Sequence, residues 1–181
     1  MKATWLGCGL LATAIVALAH RLDEYLQATR VSVAPNRIDL SLDLTPGVAV
    51  ADQVLAAIDT NRDGRVSDDE RAAYAQNALA DLRCGLDEKS LKLRLVDVSF
   101  PALHEMKSGI GVIRIKATTA VGPLAAGQHT LNLTNVHLPA ISVYLVNALA
   151  PKDRAITITR QARDELQKGY HLEFGVSRPT P

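Results

Sequence analysis

Apolar and polar residues alternate with period two through most of the chain. Ile38, Leu40, Leu42 and Leu44 are separated by Asp39, Ser41 and Asp43. The same alternation returns at Leu91, Leu93 and Leu95, at Ile113 and Ile115, at Leu131 and Leu133, at Ile156 and Ile158, and at Leu172, Phe174 and Val176. Successive side chains of a strand point to opposite faces, so each run predicts a strand with one buried and one wet face. Residues 27–33 and 141–146 add two more, the second read as buried, for a total of about eight strands. Turn signals at Ala34-Pro35-Asn36, Gly122-Pro123 and Ala150-Pro151 separate them. Short strands in this rhythm predict a mainly β fold, an antiparallel β-sandwich.

One region breaks the rhythm. After Pro46-Gly47, Ala51, Val54, Leu55 and Ile58 recur at intervals of three and four, the signature of a helix. The run "SDDERAAYAQNALADLRCG" predicts a second helix, apolar at Ala72, Ala75, Leu79 and Leu82. Arg83 falls in its last turn and Gly85 just beyond it. A helix–loop–helix is therefore expected over residues 46–84, inserted between the second and third strands.

The loop reads Asp59-Thr-Asn-Arg-Asp-Gly-Arg-Val-Ser-Asp-Asp-Glu70. Calcium takes six to eight hard oxygen ligands at about 2.3–2.6 Å without strict angles. Alternate residues of a tight loop can supply them. Asp59, Asn61 and Asp63 offer side-chain oxygens at the first, third and fifth positions. Arg65 offers its backbone carbonyl at the seventh, and Ser67 at the ninth can hold a bridging water. Glu70 closes the run with two oxygens, Gly64 permits the sharp turn, and Val66 points inward. Ser67 and Glu70 also spell a capping box, which serves a helix without any metal. That box does not account for Asp59, Asn61 and Asp63, and without a cation the carboxylates of Asp59 and Asp63 would converge with Glu70 and repel.

Residues 46–82 resemble an EF-hand: every ligand position and the glycine match its loop pattern. The resemblance implies Ca2+ as the bound ion, with Asp59, Asn61, Asp63, Arg65 and Glu70 as ligands and Ser67 acting through water. Arg71 stands where the family usually has an apolar residue, Arg62 and Arg65 bring positive charge near the ion, and no second loop of this kind follows. The expected affinity is modest, on the order of 10⁻⁴–10⁻³ M, as in extracellular modules.

Composition sets the setting. With 181 residues the chain suits one domain, and 20 basic against 19 acidic groups give no nucleic-acid surface. Lys2, the apolar run Trp5–Leu18 and the small residues Ala17 and Ala19 predict a signal peptide over 1–19, cleaved after Ala19. The mature domain, 20–181, is then periplasmic or secreted and has no later segment long enough to span a membrane. It retains only Cys84, expected to be a buried and inert thiol. His20 becomes the first residue. Its amine and imidazole could chelate copper or nickel together with His104, His129, His137 or His171.

Residues 19–47, "AHRLDEYLQATRVSVAPNRIDLSLDLTPG", show a weaker similarity to the extracytoplasmic domain at the N-terminus of bacterial nickel/cobalt-type permeases. That similarity implies a permease as a partner. His104-Glu105 lacks the second histidine of a zinc-protease helix, and Gly109-Ile-Gly111, in a strand-like run, lacks the rest of a nucleotide loop. No nucleophile–base set is legible, so an enzyme is not expected. The leading expectation is a calcium-binding exported accessory or interaction domain. The alternative is accessory handling of nickel, cobalt or copper through His20 beside a permease, and the third is a hydrolase with an unrecognised site.

Overall fold

The computed structural model describes residues 23–177. The expected signal segment, residues 1–19, and His20 lie outside the described residues. The fold is mainly β. Ten strands, β1 (Tyr25–Ala34), β2 (Arg37–Pro46), β3 (Leu82–Leu86), β4 (Lys89–Leu91), β5 (Arg94–Ser99), β6 (Ile113–Ala120), β7 (Gly127–Asn135), β8 (Ser142–Ala148), β9 (Ile156–Arg163) and β10 (Gly169–Val176), form two five-stranded sheets. The first sheet runs β5-β6-β2-β1-β8 and the second β4-β3-β7-β10-β9.

Alternation does what the sequence predicts. On β2, Ile38, Leu40, Leu42 and Leu44 are buried, each at most 1% exposed. Leu172, Phe174 and Val176 of β10 point in from the opposite sheet, and both sets belong to one hydrophobic cluster. Each fully buried Leu, Ile or Phe stabilises the fold by roughly 1.5–3 kcal/mol. Cys84 lies in this cluster, and burial pushes its thiol up to about 12. That keeps it in the unreactive thiol form.

Five expectations are corrected. Ten strands replace about eight. The Leu91–Leu93–Leu95 run is two strands, β4 and β5, which lie in different sheets with residues 92–93 crossing between them. Leu82–Leu86 is a strand and not the end of a helix, because Leu82, Cys84 and Leu86 alternate inward along β7; Arg83 and Gly85 are therefore strand residues. The sheets are not wholly antiparallel, since β8 runs parallel to β1. The chain reaches β8 from β7 by changing sheets, and no hairpin fixes its direction. β8 is also an edge strand, half-buried, with Leu145 43% exposed. Lastly, Gly109 and Gly111 follow the short helix α3 (Leu103–Lys107, the third helix in chain order) in a turn and not in a strand, Gly109 having φ +75°.

Between β2 and β3 stand the two longer helices, α1 (Ala51–Ile58) and α2 (Asp68–Ala80). A short 3₁₀ turn, Val48–Val50, leads into α1. α1 buries Ala51, Val54, Leu55 and Ile58, the four residues its period marks. α2 buries Tyr74, Ala75, Ala78 and Leu79. Ala72 is only half-buried, so the apolar stripe of α2 is rotated from the one its alanines suggest. No helix among the described residues is long and apolar enough to cross a membrane.

Candidate metal centre

The loop from Asp59 to Ser67 joins α1 to α2 and is exposed except for Asp59 and Val66, and Val66 packs against the core. Two residues turn it through left-handed backbone, Arg62 at φ 60° and Gly64 at φ 77°. Gly64 suits such a position because it carries no Cβ to clash.

The loop closes on its own amides. Asp59 accepts the Asp63 N–H on Oδ1 (3.1 Å) and the Gly64 N–H on Oδ2 (2.9 Å). Asn61 Oδ1 also accepts from Asp63 N–H (2.9 Å). Asp63 takes the Arg65 N–H on Oδ1 (2.8 Å) and Asn61 Nδ2 on Oδ2 (3.2 Å). The expectation that these carboxylates are left to repel one another is thus corrected: each has a donor of its own.

Glu70 is the hub. Ser67 caps α2, its hydroxyl accepting from Glu70 N–H at 3.3 Å. Glu70 Oε2 accepts from Ser67 N–H (3.0 Å) and Ser67 Oγ (2.9 Å), completing the capping box. Glu70 Oε1 accepts from Thr60 N–H (2.9 Å), Thr60 Oγ1 (3.3 Å) and Asn61 N–H (3.4 Å). These donors, the Ser67 amide first and its hydroxyl next, hold the carboxyl down at about 2 against the opposing effect of burial. Negative charge in the first turn, from Asp68, Asp69 and Glu70, also suits the helix dipole.

Counting lone pairs shows what the loop could still hold. A carboxylate or amide oxygen accepts about two hydrogen bonds. The oxygens of Asp59, Asn61 and Asp63 carry one each and keep spare capacity. Both Glu70 oxygens are fully engaged. Among the described residues no three His, Cys, Asp or Glu side chains are grouped to hold a metal ion. The loop thus gathers hard oxygen donors at Asp59, Asn61 and Asp63, while the Glu70 carboxylate is turned to Thr60, Asn61 and Ser67.

Among the partners considered for His20, three have both ring nitrogens occupied. His129 meets Asp87 Oδ2 (2.6 Å) and the Ala125 carbonyl (2.8 Å). His137 meets Asp81 Oδ2 (2.9 Å) and the Tyr74 hydroxyl (3.1 Å), and His171 meets Asn132 Oδ1 (2.8 Å) and Glu173 Oε1 (3.2 Å). His104 is exposed on α3.

His137 centres a buried polar cluster that sequence reading does not find. With a neutral ring, the acceptor-only carboxylate of Asp81 places the proton on Nδ1, so Nε2 accepts from Tyr74. The Tyr74 and Tyr25 hydroxyls are 2.7 Å apart. Burial raises both phenols, keeping them as donors. The His137 carbonyl accepts from Gln27 Nε2 (2.8 Å) and the Tyr144 hydroxyl (2.9 Å), and Asn135 Nδ2 donates to Gln27 Oε1 (3.0 Å). No motif joins these residues, and with most partners 49 to 110 positions apart no local signal in the sequence marks them.

No family model matches this chain, and no curated protein matches its sequence.

Proposed function

We propose that residues 46–82 form an EF-hand-like unit that binds Ca2+, and that the protein is an exported accessory domain whose inserted helices the ion orders. One observation carries the reading: Asp59, Asn61 and Asp63 sit on one tight turn, each with spare acceptor capacity, directly before a helix whose third residue is a glutamate. Arg65 would add its carbonyl, Glu70 both oxygens and Ser67 a bridging water. The ion would supply a divalent charge that draws these oxygens together. Bidentate use of Glu70 requires its carboxylate to release Thr60, Asn61 and Ser67. That competition, with the charges of Arg62 and Arg65, keeps the affinity in the sub-millimolar to millimolar range.

The test is calorimetric titration with Ca2+, paired with thermal melting. At ten times the dissociation constant the ion should stabilise the fold by about 1.4 kcal/mol, raising the midpoint by roughly 3–6 °C for a domain of this size. Asp59→Ala should abolish both signals. No calcium heat together with an unchanged midpoint would defeat the proposal.

A further inference from the structure

The edges of the two sheets come together where β4 passes into β5. An open groove of about 740 Å³ lies there, between the β4–β5 crossover and the end of the β2–β6 pair. Arg37, Lys92 and Arg94 line it, with Asn36, Ser90 and Thr118. No carboxylate is among its lining residues.

The charges here are poorly compensated. Elsewhere on the same sheet, Lys116 is paired with Asp97 (3.0 Å) and Arg30 with Asp43 (3.0 Å). In the groove only Arg37 has a carboxylate partner, Asp39, reached through Nε at 2.9 Å. Asp39 is itself further occupied, accepting from the Thr118 hydroxyl at 2.6 Å. Lys92 and Arg94 make no ion pair among the described residues. The fold therefore brings three cations from two separate segments, the start of β2 and the β4–β5 crossover, to one concave surface, with neutral hydroxyl and amide groups between them. Like charges gathered this way repel, and a multivalent anion relieves the repulsion. Guanidinium forks match the oxygens of a tetrahedral oxyanion, and such charge-assisted bonds are short and strong.

We propose that this groove is a binding site for a small ligand bearing a phosphate or sulfate group, held by Arg37, Lys92 and Arg94. It is separate from the loop between α1 and α2 and stands whether or not that loop takes calcium.

The test is an amide chemical-shift titration of the protein with sodium phosphate, sodium sulfate and sodium chloride at equal ionic strength, without added calcium. Saturable shifts at Arg37 and at residues 90–94, caused by phosphate or sulfate but not by chloride, are the expected result. The double variant Lys92→Ala/Arg94→Ala should weaken binding by about tenfold or more. Both residues are exposed, so its melting midpoint should match that of the parent. Lys152→Ala/Arg154→Ala removes the same charge from exposed residues outside the groove and should change affinity by less than about twofold. Equal shifts from chloride, linear shifts without saturation, or equal weakening in both double variants would overturn the assignment.

Discussion

The loop after α1 and the cluster around His137 both satisfy their polar atoms internally, at opposite distances along the chain. In the loop every hydrogen-bond partner lies two to ten residues away. In the cluster, Tyr25 meets Tyr74 across 49 residues, Asp81 meets His137 across 56, and Gln27 reaches the His137 carbonyl across 110. The loop is exposed and its bonds compete with water. The cluster is buried at its centre, where Tyr25 is 0%, Tyr74 2% and His137 4% exposed, and it meets solvent at Asp81, whose side chain is 45% exposed. An unmet polar group costs far more there, since water cannot replace the lost partner.

The two regions share α2. Its N-terminal end carries Ser67 and Glu70, while Tyr74 in its middle and Asp81 at its C-cap reach His137. The cluster therefore fixes the insertion to the sheets independently of what happens in the loop. Local bonds set the shape of the candidate site, and distant bonds set where that site sits on the body.

His137→Ala should give the largest effect. It removes the ring that packs edge-on against Tyr74 at 5.3 Å and leaves the buried Tyr74 hydroxyl without its acceptor. A loss of about 3 kcal/mol in urea unfolding is expected, and a loss no larger than a surface substitution would show that the cluster does not hold the insertion. Next, Ser67→Ala removes the cap of α2 and should cost about 1 kcal/mol, measured in the same way without calcium. Glu70→Gln sharpens the contrast within the loop. Glutamine can still serve the capping box, so helix stability is mostly kept while the calcium-induced rise in melting midpoint disappears.

Acid titration separates further groups. Glu70 is depressed from 4.5 to about 2, so its contribution is complete above 4.5 and fades as pH falls toward about 2. The His129–Asp87 pair behaves differently. Burial alone would lower His129, but the Ala125 carbonyl and the Asp87 carboxylate outweigh it and raise the ring above 6.5. Asp87, against the effect of its own burial, is lowered below 3.8 by His129 and the Thr130 amide. The pair's contribution is complete between about 3.8 and 6.5, is lost as pH rises through the raised histidine value, and also fades in acid. Melting midpoints followed from pH 5 to 9 should fall in the parent and stay flatter in His129→Gln. The smallest effect belongs to Lys116→Ala, whose exposed pair with Asp97 should be worth under about 1 kcal/mol.

Much of the sheet was legible because period two is a local signal: Ile38 to Leu44 and Leu172 to Val176 face the core as their spacing demands. The insertion and the buried face of α1 were legible for the same reason. The end of α2 is ambiguous in the sequence because Leu82 continues both the helical spacing of Ala75 and Leu79 and the alternation of Cys84 and Leu86, and only β7 beside it decides for the strand. The loop's residue types were plain in the sequence, but the donors around Glu70 were not. Two plausible roles for one carboxylate, cap and ligand, look identical as spelling.

By itself the sequence determined which residues turn inward, where the two helices interrupt the strands, and which oxygens stand together in the loop, because each depends on neighbours a few positions apart. Only the tertiary structure decided that β8 joins β1 in parallel, that β4 and β5 part into different sheets, and that Tyr25, Tyr74, Asp81 and His137 share one set of protons. Those outcomes depend on which distant segments bury one another, and chain spacing does not encode that.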